Sequence, residues 1–578
     1  MSVQSGSPSV PPLAPGSSLL ARGRWGWSRL TRDPNPVWMR ELRQSARLGR
    51  TPVILMAITI AVALLISSVG GIASVTAEPA KVGVGIFHTF FSLAFALVTW
   101  LGPAVAANTI AGEKNGRTWE ALALTSLTPA RIARGKFLAA YTYVGMYLVM
   151  LAPVGALPFL FGGVTATEVI LAFFCCFVFA ALAVAFGLAL SSKFQSSASA
   201  IIITLILALT TSFATFTGLG VALSVAAHEQ WPGVAQGPPV WLPTAWVRAD
   251  LGLTYLAFLV VLPAVAVLVP AWLFYEVTIA NLAGPSDDRS TRLRVWTIVS
   301  SLALTACCGI VAVATRHVDW AKAQGSFLFL FFLFVVLMVA GEPLGPSRRV
   351  RVAWDREGRS RALRALGPGV VPATAWLVGL VLVAFAASIG VGLLTLTKPT
   401  DRDVLLAFDG QLLAFLLFLC GLSAFFRTRA ETPVVPRVLL VVTTVVAAIG
   451  PWIVMAIAGV VTQTSDGTLA LASPSPTYAF VLAEEIQRSS VNLPNLILPA
   501  VLCSAGYALF GLGLFTMAAG RAHARLAQER QRVSQLEALL DAELQAEMEA
   551  AATPAAEGTE GTAAPPEADP DPEPEAPR

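Results

Sequence analysis

The chain has 578 residues, of which 56% are hydrophobic and only 13% charged, with a mean hydropathy of +0.70. A soluble domain carries roughly 25% charged residues, so the composition excludes one and leaves a polytopic membrane protein. A net charge of +4 over this length gives no reason to expect nucleic acid as a partner.

Residues 1–32 lack a basic start and a continuous apolar core, which argues against a cleaved signal peptide and for a disordered cytoplasmic tail. Residues 33–50 read as an amphipathic helix, with Asn35 as its cap and Pro36 in the first turn. Arg40, Arg43, Arg47 and Arg50 follow one another at intervals of three, four and three residues and share one stripe, with Trp38 and Leu42 opposite. Such a helix should lie in the headgroup layer of the bilayer, its arginines on phosphates and Trp38 at the apolar boundary. The plainer role for the same arginines is a positive flag before the first span.

Twelve apolar segments follow, near 52–76, 82–110, 137–161, 167–191, 198–227, 251–280, 295–315, 325–342, 370–397, 404–426, 434–462 and 494–519. Each is long enough at about 1.5 Å per residue to cross a core of about 30 Å, although the eighth needs its flanks. With the amino terminus inside, 32 lysines and arginines fall in cytoplasmic segments and 7 outside. That asymmetry orients a multi-pass protein of the cytoplasmic (inner) membrane with both termini in the cytoplasm.

Between the second and third segments lies a polar, basic island, AGEKNGRTWEALALTSLTPARIARGK, at 111–136. Thr118 can cap a short helix from Trp119 to Ser126, with Glu120 in its first turn where the helix dipole favours a carboxylate. Thr128 and Pro129 then offer a second start, leading through Arg131 and Arg134 to Lys136.

The pattern Glu113, Gly116, Thr118, Glu120, Leu122, Thr125, Pro129, Arg131, Gly135, Lys136 resembles the cytoplasmic segment between the second and third spans of ABC-2 type transporter permeases. The Asn-Pro and the Arg-Glu-Leu-Arg run at 35–36 and 40–43 are similar to the start of that family's interfacial helix. The resemblance implies that Glu113, Gly116, Thr118, Glu120, Leu122, Pro129, Arg131 and Lys136 form a coupling element docked on a separate cytoplasmic ATPase, itself a dimer. It also implies that Trp38, Arg40, Arg43, Arg47 and Arg50 lie at the membrane surface. Arg117 departs from the family by separating Gly116 from Thr118, which bears on the cap.

A weak internal repeat adds to this. Ala111-Gly112-Glu113 closes the second segment, and Ala340-Gly341-Glu342 closes the eighth, 229 positions later. Gly187-Leu188 and Gly421-Leu422 keep nearly that offset, and the longest outer loops, 228–250 and 462–493, occupy the same place in each half. The expected organisation is therefore a six-helix half at 51–283, a degenerate half at 284–520, a cytoplasmic helix at 521–550 and an acidic, Pro/Ala-rich disordered tail at 551–578. In the second half the island becomes RRVRVAWDREGRSRALRAL, with seven arginines between Arg348 and Arg364 and neither the Thr-x-Glu start nor the Thr-Pro break. It reads equally as a basic helix on anionic lipid or as a second docking element.

Other groups carry less. All six cysteines fall in apolar runs and read as packing residues. Among polar groups inside spans, His88 and Asn108 suit interhelical hydrogen bonds, Glu168 and Glu276 sit near span ends where snorkelling is easy, and Asp409 lies close to the outer edge. The outer loops are rich in Trp and Pro, as in short interfacial or re-entrant segments or an aromatic belt.

No G-x-x-x-x-G-K-[ST] occurs, so the chain does not cradle ATP by a P-loop, and no paired carboxylates or nucleophile-base set suggests an enzyme. The expected function is the permease of an ABC-2 type exporter, binding no cofactor itself, with ATP and Mg held by the partner ATPase. Whether the chain also forms a homodimer stays open. A secondary transporter and an ATPase-anchoring scaffold are the rivals.

Overall fold

A computed structural model describes residues 34–47, 50–75, 77–125, 127–232, 234, 241–284, 286–463, 468–488 and 493–552. Among them there is no strand. Twelve helices are long and apolar enough to cross a membrane. We number them spans 1 to 12: Leu55–Ser74, Pro79–Asn115, Pro129–Phe161, Ala166–Ser191, Ser197–Thr215, Leu253–Leu282, Thr291–Thr315, Val318–Val339, Val370–Thr395, Pro399–Arg427, Val434–Thr462 and Leu493–Met548. The chain divides into two compact units, Met1–Ala519 and Gly520–Arg578, and the described part of the second is helical as far as Ala552.

Proline sets several span starts where the missing N–H is harmless: Pro79, Pro129 and Pro399 each stand in a first turn. The eighth span begins seven residues before the apolar run suggests, because His317 caps it and Asp319 occupies its first turn. The fifth span ends early, at Thr215, and the chain continues through a π-turn over Phe216–Gly220 into a separate helix, Val221–Gln230. Both long loops contain short helices, Trp241–Arg248 in the first and Tyr478–Gln487 in the second.

The first unit holds two large apolar cores. One gathers buried residues of spans 1 to 4, among them Phe87, Phe90, Tyr147 and Leu151. The other is centred on span 10, with Phe332, Phe385, Phe408, Phe415 and Tyr478. They meet where span 6 runs beside span 7, joined by the Trp296 Nε1–H donated to Val269 O at 2.9 Å and an Arg292–Glu276 pair at 3.5 Å.

Close approach within each core depends on small residues, since lipid tails give apolar helices no reason to desert them unless backbones can touch. A Cβ on Gly187 of span 4 would lie 2.4 Å from Pro103 O of span 2. On Gly421 of span 10 it would lie 2.0 Å from Gly511 O of span 12. The Gly-Leu pairs noticed as a repeat thus both mark backbone contact, although with different partner spans.

Glu168 and Glu276 are paired with arginines rather than snorkelling. Glu168 is fully buried and Glu276 receives Trp272 Nε1–H at 3.1 Å as well as facing Arg292. Asp409 is fully buried about three turns into its helix and accepts from Ser388 Oγ at 3.0 Å. Asn108 accepts from Ser197 Oγ, tying span 2 to span 5, whereas His88 Nδ1 has no partner.

Candidate functional site

Most of the residues singled out for coupling converge where spans 2, 3 and 4 end beside the amphipathic helix Pro36–Arg47. That helix starts on Asn35, whose Oδ1 accepts Val37 N–H at 3.0 Å while its Nδ2 donates to Arg131 O at 2.8 Å. One side chain therefore caps one helix and grips the first turn of span 3. Gly135 makes the contact close, because a Cβ there would stand 2.7 Å from Asn35 Oδ1 and from Val37 Cβ. Val37, Leu122 and Ile132 form a small apolar core at this junction, with Trp119 and Leu127 against it.

Over that core sits a four-charge cluster. Lys136 is fully buried, and its Nζ donates to Thr109 O at 2.8 Å and to Glu41 Oε1 at 3.1 Å. It also lies 3.1 Å from Glu113 Oε2, a charge contact without a hydrogen bond's alignment. Arg40 completes the set through Glu113 Oε1 and, at 3.1 Å, Glu41 Oε1. Burial pulls the Arg40 guanidinium down, but hydrogen bonds and charge from Glu41 and Glu113 outweigh it and raise its pKa. Two cations and two carboxylates thus balance, with Lys136 enclosed and Arg40 on the open side of the cluster. Arg40, expected to stand on lipid phosphates, is turned instead to protein carboxylates.

The short helix is Trp119–Ala123, shorter than expected, and Thr118 does not cap it. Thr118 has helical dihedrals and its hydroxyl donates to Glu113 O at 3.3 Å. The reason is Arg117, whose φ is +56°. Arg117 N–H reaches Lys114 O at 3.2 Å and Thr118 N–H reaches Glu113 O at 3.0 Å. These are the two bonds of a Schellman motif, with Arg117 in the left-handed position usually given to glycine. The extra residue between Gly116 and Thr118 closes span 2 and swings the short helix underneath it. Thr128, by contrast, caps span 3 as expected, accepting Arg131 N–H, with Pro129 in the first turn.

What remains on the surface is Glu120, the Leu124 side chain at 88% exposure, and the cations Arg117, Arg131 and Arg134. Trp38 is half-buried and Arg43 exposed; the side chains of Arg47 and Arg50, and Ser126, lie outside the described residues. Lys114 binds Ser192 O at 2.6 Å at the end of span 4. Span 2 is thereby tied to the end of span 4 beside the short helix. Sequence reasoning missed Glu41, Val37 and Ile132; the one carboxylate in an otherwise basic helix was the signal for Glu41.

The corresponding place in the later spans is built differently. Glu342 accepts from Ser290 Oγ at 2.7 Å and faces Arg294 of span 7 at 3.3 Å. Burial pushes the Glu342 carboxyl up, with Arg294 pulling the other way. Arg294 also donates to Ala365 O, Gly367 O and Gly369 O, so it holds the chain entering span 9.

At the opposite ends of the spans, Glu168 completes a capping box with Thr165 and receives Arg248 Nε–H at 2.9 Å, and Arg248 also donates to Gly163 O at 2.9 Å. This fastens helix Trp241–Arg248 to span 4. Arg248→Gln should cost about 2 kcal/mol, less than breaking a wholly enclosed pair because Arg248 is 43% exposed. Thermal unfolding in detergent checks this, with Arg248→Lys expected to retain most of the loss. Among the described residues no three His, Cys, Asp or Glu side chains converge as metal ligands.

Residues 71–244 match the family model described as ABC-2 family transporter protein. Over this stretch the chain is similar to ABC-2 transporter permeases. The match holds the whole segment 111–136 and spans 2 to 5, while helix Pro36–Arg47 and spans 6 to 12 lie outside it. No curated protein and no solved structure matches the chain. The twelve apolar helices make the chain a multi-pass membrane protein, and the family it matches consists of transport permeases that generally work with an ATPase subunit.

Proposed function

We propose that this permease moves its substrate out of the cytoplasm using ATP hydrolysed by a separate ATPase, which docks on the segment 111–136. The single observation that carries the reading is the fastening of the short helix Trp119–Ala123. The Schellman turn at Arg117 holds it to span 2, Leu122 packs it on Val37 of the amphipathic helix and Ile132 of span 3, and the Glu41–Glu113–Lys136–Arg40 cluster locks spans 2 and 3 to the amphipathic helix. A push on Glu120 or Leu124 is thus delivered to several spans at once. The charge asymmetry of the loops puts this end in the cytoplasm, where ATP is.

The two apolar cores and the paired Ala-Gly-Glu sites support a duplicated architecture, in which one chain supplies both halves of a permease. ATP and Mg would reside on the partner. A secondary transporter is the second reading; Asp409, a carboxylate enclosed between spans 9 and 10, is what favours it.

Detergent extraction of the tagged protein from its own membranes, beside a variant with 113–129 scrambled, tests the docking. A P-loop ATPase present with the unaltered chain and lost from the scramble is expected; its absence from both would end the reading. Glu120→Arg should leave membrane insertion intact and abolish coupling of ATP hydrolysis to transport in vesicles. Retained transport would remove the docking role of Glu120.

A further inference from the structure

The element that replaces the short helix in the second half has a different surface. Helix Arg348–Arg356 is capped by Ser347, which accepts Val350 N–H at 3.2 Å and donates to Ser286 O at 2.7 Å. Its apolar side is already spent: Val350 and Trp354 are buried, and Trp354 presses on Gly367 so closely that a Cβ there would be 2.0 Å from the ring. An amphipathic helix lying on a bilayer keeps that side for the lipid. Here the outward side is a shallow, open recess of about 760 Å³ lined by Val352, Ala353, Arg348, Arg349, Arg356 and Glu357. Asp287 engages Arg349 at 3.1 Å from the rim.

We propose that this recess receives an acidic segment of the same partner ATPase, an inference that rests on the permease reading above. A recess lined by arginines together with Val352 and Ala353 fits a protein segment bearing carboxylates, which guanidinium groups grip in pairs of hydrogen bonds. The first half meets the ATPase with Leu124 and Glu120, the second with guanidinium groups, so the two contacts on the ATPase pair are chemically unlike. One chain carrying both halves can then hold two different ATPase faces in fixed places.

The test uses the full-length chain in its own membranes with a photoreactive phenylalanine analogue in place of Val352 and, separately, of Leu124. Both positions are exposed, and neither is tied into the charge clusters. The expected result is that both sites cross-link one P-loop ATPase, and that the peptide joined to position 352 is rich in Asp and Glu. Arg348→Glu with Arg356→Glu, which leaves the Arg349–Asp287 pair alone, should cut the cross-link at 352 at least about tenfold and spare that at 124. Cross-linking of 352 to lipid, to a segment without acidic excess, or to nothing while 124 still captures the ATPase overturns the proposal and leaves the permease reading standing. Loss of the ATPase from both sites, in membranes where the chain is intact, overturns both.

Discussion

Lys136→Met is expected to destabilise the protein by about 3–5 kcal/mol, a large part of the roughly 5–15 kcal/mol that holds a typical fold. The side chain has no exposure, and removing its charge leaves Glu41 and Glu113 facing only Arg40, which is itself 42% exposed, so a net negative charge stays beside the enclosed Lys136 position. The defect lies in the imbalance rather than in a missing contact, so a second removal should repair it. Lys136→Met with Glu113→Gln restores one cation against one carboxylate and is expected to recover at least half of the loss. Thermal unfolding of the detergent-purified variants measures this. A double variant no more stable than the single one would mean that charge balance does not hold the junction together. Lys136→Arg should not substitute, because a planar guanidinium cannot point one compact charge at Thr109 O and both carboxylates within a closed space.

Gly421→Leu should be about as damaging, for a steric reason. Any Cβ at 421 would meet the backbone of Gly511 at 2.0 Å, and neither helix can yield locally because the obstructing atoms are main chain on both sides. Spans 10 and 12 would have to separate, at a cost near the upper end of the usual 1–3 kcal/mol for overpacking or beyond it. Gly410→Ala in the same helix is the control, since nothing lies within 4 Å of its Cβ position. Membrane yield and melting temperature should fall sharply for Gly421→Leu and stay put for Gly410→Ala. Equal behaviour of the two would disprove the backbone contact.

Much of the architecture was legible because a bilayer imposes one rule on composition. A crossing helix must be apolar over about twenty residues, and its basic flanks stay on one side. Segment ends were less legible, since capping decides them: His317 and Asp319 extend span 8 beyond its apolar run. The coupling segment was readable as punctuation, Thr128-Pro129 above all, because capping is a local property. The Thr118 cap failed for the same reason in reverse, at the Arg117 departure that bore on it. A residue that looked like an interruption of the Gly-Thr pair is the left-handed member of a Schellman turn, and only the backbone of span 2 shows why it is needed.

By itself, then, the sequence determined the number of apolar helices, the basic end, the polar island and the likeness to an ABC-2 permease, all of them consequences of periodicity, charge and local motif. Tertiary structure alone decided which charges meet. Glu41 and Lys136 are 95 positions apart, and Glu168 and Arg248 are 80 apart. No local spacing records such pairings, because they arise from helices crossing at small residues such as Gly135 and Gly187. It also decided that the apolar side of the helix at 348–356 is turned into the protein, where Val350 and Trp354 are buried.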